Sequence, residues 1–114
     1  MIQTSYFAKY KGDNGISIAL YTPKWFKGEV YKNLVPTPEI LFTYKASNKT
    51  RLDQICYICE YKNSILSKLD PKKVAEDLDN KVLLCYEKSG DFCHRIIVAK
   101  WLEDNLKIIV SEVE

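Results

Sequence analysis

The run Lys81-Val82-Leu83-Leu84-Cys85-Tyr86 is apolar at successive positions, so both faces of any strand it forms are apolar. A strand with one wet face alternates apolar and polar residues, whereas this pattern belongs to a central strand of a parallel or mixed sheet, covered on both sides. Downstream, Ile97, Val98, Trp101 and Leu102 share one stripe of a helix predicted over Cys93 to Glu103, and a last strand is expected over Lys107 to Val113. Strand, helix and strand within about 30 residues make a βαβ unit, whose crossover is right-handed almost without exception.

The rest of the chain supplies elements around that unit. Ile2 to Tyr6 alternates as a short strand, Lys9-Tyr10-Lys11-Gly12-Asp13-Asn14-Gly15 has turn composition, and Ile16 to Tyr21 predicts a second strand. Pro23-Lys24-Trp25-Phe26-Lys27-Gly28 and Leu34-Val35-Pro36 predict an irregular connection. Thr37-Pro38-Glu39 has the chemistry of a helix start and predicts a helix over 38–46, while Leu52, Ile55, Cys56, Cys59 and Leu66 recur at helical spacing to Leu69. That spacing puts both cysteines on the inward face. Asp70-Pro71 starts a short helix reaching Leu78. The expected architecture is one α/β domain over residues 1–114, with a mostly parallel sheet of about four strands and flanking helices.

At 114 residues the chain is long enough for one core and too short for two. No apolar run approaches the roughly 20 residues of a spanning helix, and Met1-Ile2-Gln3-Thr4-Ser5 lacks the features of a secretion signal, so no membrane role and a cytoplasmic location are expected. A net charge of +2 does not by itself imply a nucleic-acid partner. Tyr and Lys are interleaved through the first half, as stacking and phosphate contacts would require, although half-exposed surface residues explain the same pattern. Cys56, Cys59, Cys85 and Cys93 are expected reduced, with metal, catalytic or core roles ahead of disulfides.

The end of the apolar strand and the start of the following helix carry the chemistry. In open α/β sheets ligands bind outside the carboxyl ends of strands. Alternation sends Cys85 and Glu87 to one face and Leu84 and Tyr86 to the other; helical spacing puts His94 on the inward stripe with Val98 and Trp101 and turns Arg95 toward solvent. A helix N-terminus favours an anion, with Arg95 and Lys88 adding charge, and it also favours a thiolate at Cys93, for which His94 or Glu87 is the proton partner. Each residue has a plainer reading: Cys85 as a small core residue, His94 as a hydrogen-bonded residue at the core edge, Glu87 as half of a surface ion pair. A zinc site joining Cys56-Tyr57-Ile58-Cys59 to Cys85, Cys93 and His94 is the weaker reading, because the first pair falls inside a helical stretch where core packing accounts for it. No metal or cofactor is expected.

The run Val82-Leu83-Leu84-Cys85-Tyr86-Glu87, followed by Cys93-His94-Arg95 and the apolar helix through Trp101, resembles the signature of the domain-of-unknown-function family 488 (DUF488). Thr4-Ser5-Tyr6-Phe7-Ala8, Pro23-Lys24-Trp25 and Leu34-Val35-Pro36 are similar to a bacterial and phage subgroup of such proteins. A Gly-rich start and an Asp-Val-Arg segment found in better-known members have no counterpart here. The resemblance implies a small Rossmann-like three-layer domain with a shared site on Cys85, Glu87, Cys93, His94 and Arg95, and an association with nucleotides or nucleic acids.

The leading expectation is a phosphate-bearing ligand, nucleotide or nucleic-acid end, held at the Cys93-His94-Arg95 helix start, with Cys85, Ser5, Tyr6, Lys24 and Trp25 completing the pocket. Enzymatic action on that ligand would rest on Cys93, His94 and Glu87. The alternatives are a thiol-based enzyme using Cys93 and His94, and a non-catalytic phage or bacterial interaction protein working through its Tyr, Trp and Lys surface.

Overall fold

A computed structural model describes residues 1–114. Five parallel strands, β1 (Gln3–Tyr6), β2 (Gly15–Ser17), β3 (Glu29–Val30), β4 (Val82–Cys85) and β5 (Ser111–Glu112), form one sheet in the order β3-β2-β4-β1-β5. The apolar run is the middle strand. All four residues of β4 are buried, and Val82 pairs with Gln3 on one side and Gly15 on the other. Fully burying side chains such as Leu83 and Leu84 stabilises the fold by about 1.5–3 kcal/mol each.

Four α-helices, α1 (Pro38–Lys45), α2 (Arg51–Ser64), α3 (Pro71–Asp77) and α4 (His94–Leu106), complete the domain, with 3-10 turns at Lys32–Leu34 and Leu66–Lys68. Their starts are chemically specified. The Thr37 hydroxyl accepts from the Ile40 N–H at 3.2 Å ahead of Pro38, and the Asp70 carboxylate accepts from the Lys72 N–H at 3.0 Å ahead of Pro71. At α2, Thr50 and Asp53 form a reciprocal capping box. All four helices bury residues in one core with Ile16, Ile18 and Leu83. On the sheet's other face, Phe7, Ala19, Val82 and Leu84 pack with Tyr10 and Phe26, so the third layer is built from loops. The domain is therefore the small Rossmann-like α/β fold expected.

Several sequence expectations need correction. The segment Glu29–Val30 adds a fifth strand where an irregular connection was expected, because its backbone pairs with Ile16 and Ser17. The second strand stops at Ser17 rather than Tyr21, and the last covers Ser111–Glu112 rather than 107–113, since Lys107 takes a left-handed conformation that ends α4. Helix α2 ends at Ser64 and hands over to a 3-10 turn before Leu69. Its inward face also differs from the one the apolar spacing predicts. Tyr57 and Tyr61 are its buried residues, while Cys56, Cys59, Leu52 and Ile55 are exposed.

Candidate functional site

Strand β4 ends at Cys85, and the chain returns at Cys93 to start α4, so an eight-residue separation brings the two cysteines together. Gly90, at φ +93°, supplies the left-handed turn this short return needs. The cysteines form a disulfide, which corrects the expectation of four reduced thiols; Cys56 and Cys59 remain free. Burial explains the pairing: both sulfurs are held in the core, out of reach of the helix α2 thiols on the surface. The Cα atoms of the pair lie 7.3 Å apart, wider than the roughly 4.4–6.8 Å that disulfides usually span.

His94 is held from both sides. Its Nε2 lies 2.6 Å from the Ile18 carbonyl oxygen, which can only accept, so Nε2 carries the proton and donates. Nδ1 is then the unprotonated nitrogen, and it faces the Cys93 sulfur at 3.8 Å. Burial pushes the imidazole pKa down to about 4; the Ile18 hydrogen bond opposes this and the Arg95 charge adds to it. His94 is thus neutral at neutral pH, with a lone pair directed at Cys93.

Arg95 departs furthest from expectation. It is 1% exposed, where helical spacing turned it toward solvent. Its Nε and Nη2 donate to the two carboxylate oxygens of Glu112 at 3.1 and 2.9 Å, and Nη1 donates to the Glu87 carbonyl at 2.7 Å and the Cys85 sulfur at 3.0 Å. The Tyr6 ring lies 5.8 Å from the guanidinium. Desolvation would raise the Glu112 pKa, but hydrogen bonds from Arg95, Thr4 and Ser89 outweigh it and hold the carboxyl at about 2. Arg95 therefore clamps β4, β5 and the start of α4 together.

A pocket of about 650 Å³ opens beside this clamp, and Cys85, Glu87, Cys93 and His94 all line it. Tyr44, Tyr57, Phe92 and Tyr86 give it aromatic walls, with Tyr21 beside them; Lys45 and Lys49 bring positive charge. Tyr57 packs edge-on against Tyr44 and Phe92 at 5.7 and 5.3 Å. Burial first, then the Glu87 carboxylate, raises the Tyr57 pKa, so its phenol stays protonated. Cys93 caps α4 without a side-chain hydrogen bond, and it lines the pocket together with His94, the first residue of the helix.

The other expected ligand residues stand elsewhere. Ser5 is fully buried with its hydroxyl unpaired, on the face of β1 opposite Thr4 and Tyr6. Tyr6 covers Arg95, Lys24 is exposed, and Trp25 packs on Phe7 at 6.2 Å under the Lys11 ammonium. None of these lines the pocket. The sequence does not mark Lys45, Lys49, Tyr44 and Tyr57 as lining residues; Tyr44 and Lys45 belong to the Tyr and Lys interleaving, and Lys49 and Tyr57 leave no trace. Nor does it mark Glu112.

No curated protein and no solved structure matches the chain. A family model described as the active DUF488-N3 subclade, DUF488-N3a, matches residues 8–106, a span that includes β4, the pocket and the Cys93-His94-Arg95 helix start. With the Rossmann-like sheet and the Cys-x-Glu strand end facing Cys-His-Arg inside that match, the chain belongs to the DUF488 family.

Proposed function

We propose that the chain binds a phosphate-bearing ligand with a planar ring, a nucleotide or nucleic-acid end, in the pocket between β4 and the start of α4. The carrying observation is the combination of aromatic walls with Lys45, Lys49 and the uncapped N-terminus of a 13-residue helix in one cavity. Rings of Tyr44, Tyr57 and Phe92 suit stacking on a base, which is tolerant of base identity. Lysines and helix N–H groups suit the phosphate. Arg95 supports this reading by holding the helix start in place rather than by touching ligand, because its donors are taken by Glu112, Glu87 and Cys85.

Calorimetric titration of adenosine and guanosine monophosphates and a short single-stranded oligonucleotide tests this. Wild type should bind at least one of them, more weakly as salt rises, and the Lys45→Ala/Lys49→Ala variant should lose about tenfold in affinity. Trp25→Ala should bind like wild type. Equal affinity in wild type and the double lysine variant, or no binding of any probe, refutes the proposal.

A second reading, thiol catalysis, is favoured by the 3.8 Å approach of His94 Nδ1 to the Cys93 sulfur. In the reduced protein it requires Cys93 to be alkylated faster than Cys56 or Cys59 despite its burial. Equal or slower modification of Cys93 removes this reading.

A further inference from the structure

We infer that reduced Cys85 and Cys93 together with His94 form a binding site for a single thiophilic divalent cation of the zinc class, with its fourth coordination position open to the pocket. The Cys85 and Cys93 sulfurs and a His94 ring nitrogen lie within 4.8 Å of one another, and all three residues are buried. Metal–sulfur bonds of about 2.3 Å and metal–nitrogen bonds of about 2.05 Å in a tetrahedron put sulfur and nitrogen about 3.6 Å apart and two sulfurs about 3.8 Å apart. The Cys93 to His94 edge, at 3.8 Å, is already near the first distance. For the sulfur to sulfur edge, the 7.3 Å between the Cα atoms leaves room that a disulfide does not need.

The surroundings are those of a supported ligand set. Metal-binding histidines usually donate their second nitrogen to a fixed acceptor, and Ile18 provides one, which leaves Nδ1 free toward the cysteines. Arg95 Nη1 donates to the Cys85 sulfur at 3.0 Å, a contact that stabilises a thiolate. Two thiolates, one neutral imidazole and a divalent cation sum to zero charge, which suits a buried site. Three protein ligands plus an open position is the pattern of sites that hold water or substrate on the metal. Cys56 and Cys59, exposed on α2, are not part of it.

Occupancy begins with reduction. A dithiol reductant gives two electrons and two protons to the Cys85–Cys93 disulfide and itself becomes a disulfide. The cation then binds both sulfurs and His94 Nδ1, releasing the two thiol protons to solvent.

The test is Co²⁺ titration of the full, reduced chain without oxygen, followed by Zn²⁺ displacement. Wild type should show thiolate-to-cobalt charge transfer and tetrahedral visible bands saturating near one equivalent, both lost when Zn²⁺ is added. Cys93→Ser should weaken binding by more than roughly a hundredfold, above the 10–100-fold typical of losing an outer-shell partner. Cys85→Ser should do the same, and His94→Gln should remove the nitrogen ligand and alter the visible bands. The Cys56→Ser/Cys59→Ser variant should behave like wild type. Absence of the bands in reduced wild type with a native circular dichroism spectrum overturns the inference, as does a signal that survives in folded Cys93→Ser and disappears with Cys56 and Cys59. The site stands apart from the nucleotide reading, because nucleotide titration of metal-free protein reports on Lys45 and Lys49 and not on these ligands.

Discussion

Arg95, on the first turn of α4, and Glu112, in the edge strand β5, meet through two parallel hydrogen bonds of 3.1 and 2.9 Å. Arg95 is 1% exposed while the Glu112 side chain keeps 31% exposure, so one charge is buried and its partner sits at the rim. The pair ties an otherwise weak edge strand, two residues long, to the helix that starts at the pocket. Through Arg95 Nη1 it also fixes the Glu87 carbonyl and the Cys85 sulfur.

Breaking this pair from the Glu112 side should be costly. Glu112→Gln leaves a buried guanidinium without a counter-charge, and losing one partner of a buried ion pair typically costs about 3–5 kcal/mol. Partial exposure of Glu112 puts the expectation at the low end, about 3 kcal/mol in urea unfolding. A change within about 0.5 kcal/mol of wild type would show that water substitutes for the carboxylate.

The same carboxylate gives the fold an acid limit. In the folded chain Glu112 titrates at about 2 against 4.5 for an unperturbed carboxyl, so the unfolded state binds more protons in the interval between. The stabilisation is fully present above about 4.5 and is lost as pH falls toward 2. Arg95, Thr4 and Ser89 are the groups that hold the carboxylate, and Arg95 stays charged throughout. Urea midpoints from pH 6 to pH 3 should fall in wild type and fall less steeply in Glu112→Gln. Parallel curves would assign the acid loss to other groups.

Thiol accessibility should divide the cysteines into two pairs. Under non-reducing native conditions a chromogenic disulfide reagent should titrate two thiols, Cys56 and Cys59, which are exposed on α2. After reduction and unfolding it should titrate four. Peptide mapping of the native label should place none on Cys85 or Cys93, which are 1% and 4% exposed. Four fast thiols in the native, unreduced protein would contradict the pairing.

The legible parts of this fold are those written in local chemistry. The doubly apolar β4 run announces a central strand, and Thr37-Pro38 and Asp70-Pro71 announce helix starts, because each signal lies within a few residues of its effect. The convergence of Cys85, Glu87, Cys93 and His94 follows from one strand end and the next helix start. Helical spacing alone misplaces Arg95, because its partner is 17 residues away in a strand with no pattern of its own. The buried face of α2 departs from the spacing for a related reason. Leu52 and Ile55 look like core by type, yet Tyr57 and Tyr61 are buried, since Tyr61 donates to the Leu34 carbonyl at 2.5 Å and Tyr57 meets Phe92. Lys45, the last residue of α1, and Lys49, in the connection to α2, line the pocket beside residues more than 30 positions further along the chain, a proximity that no local pattern records.

The end of α4 offers a prediction of the opposite sign, a gain in stability. Lys107 adopts φ 57° and ψ 38°, and its N–H donates to the Glu103 carbonyl. A residue with a Cβ pays roughly 1–2 kcal/mol for this left-handed conformation, which glycine adopts freely. Glycine gives part of that back through its looser unfolded chain, and it loses the favourable Lys charge at the helix C-terminus, worth about 0.3–1 kcal/mol. These opposing effects leave Lys107→Gly stabilising by about 0.5 kcal/mol. Lys107→Ala separates them, because it keeps the Cβ and removes the charge, and it should destabilise slightly. If urea unfolding ranks Gly above Lys above Ala, backbone conformation outweighs charge at this cap; if Lys ranks above both, the charge decides.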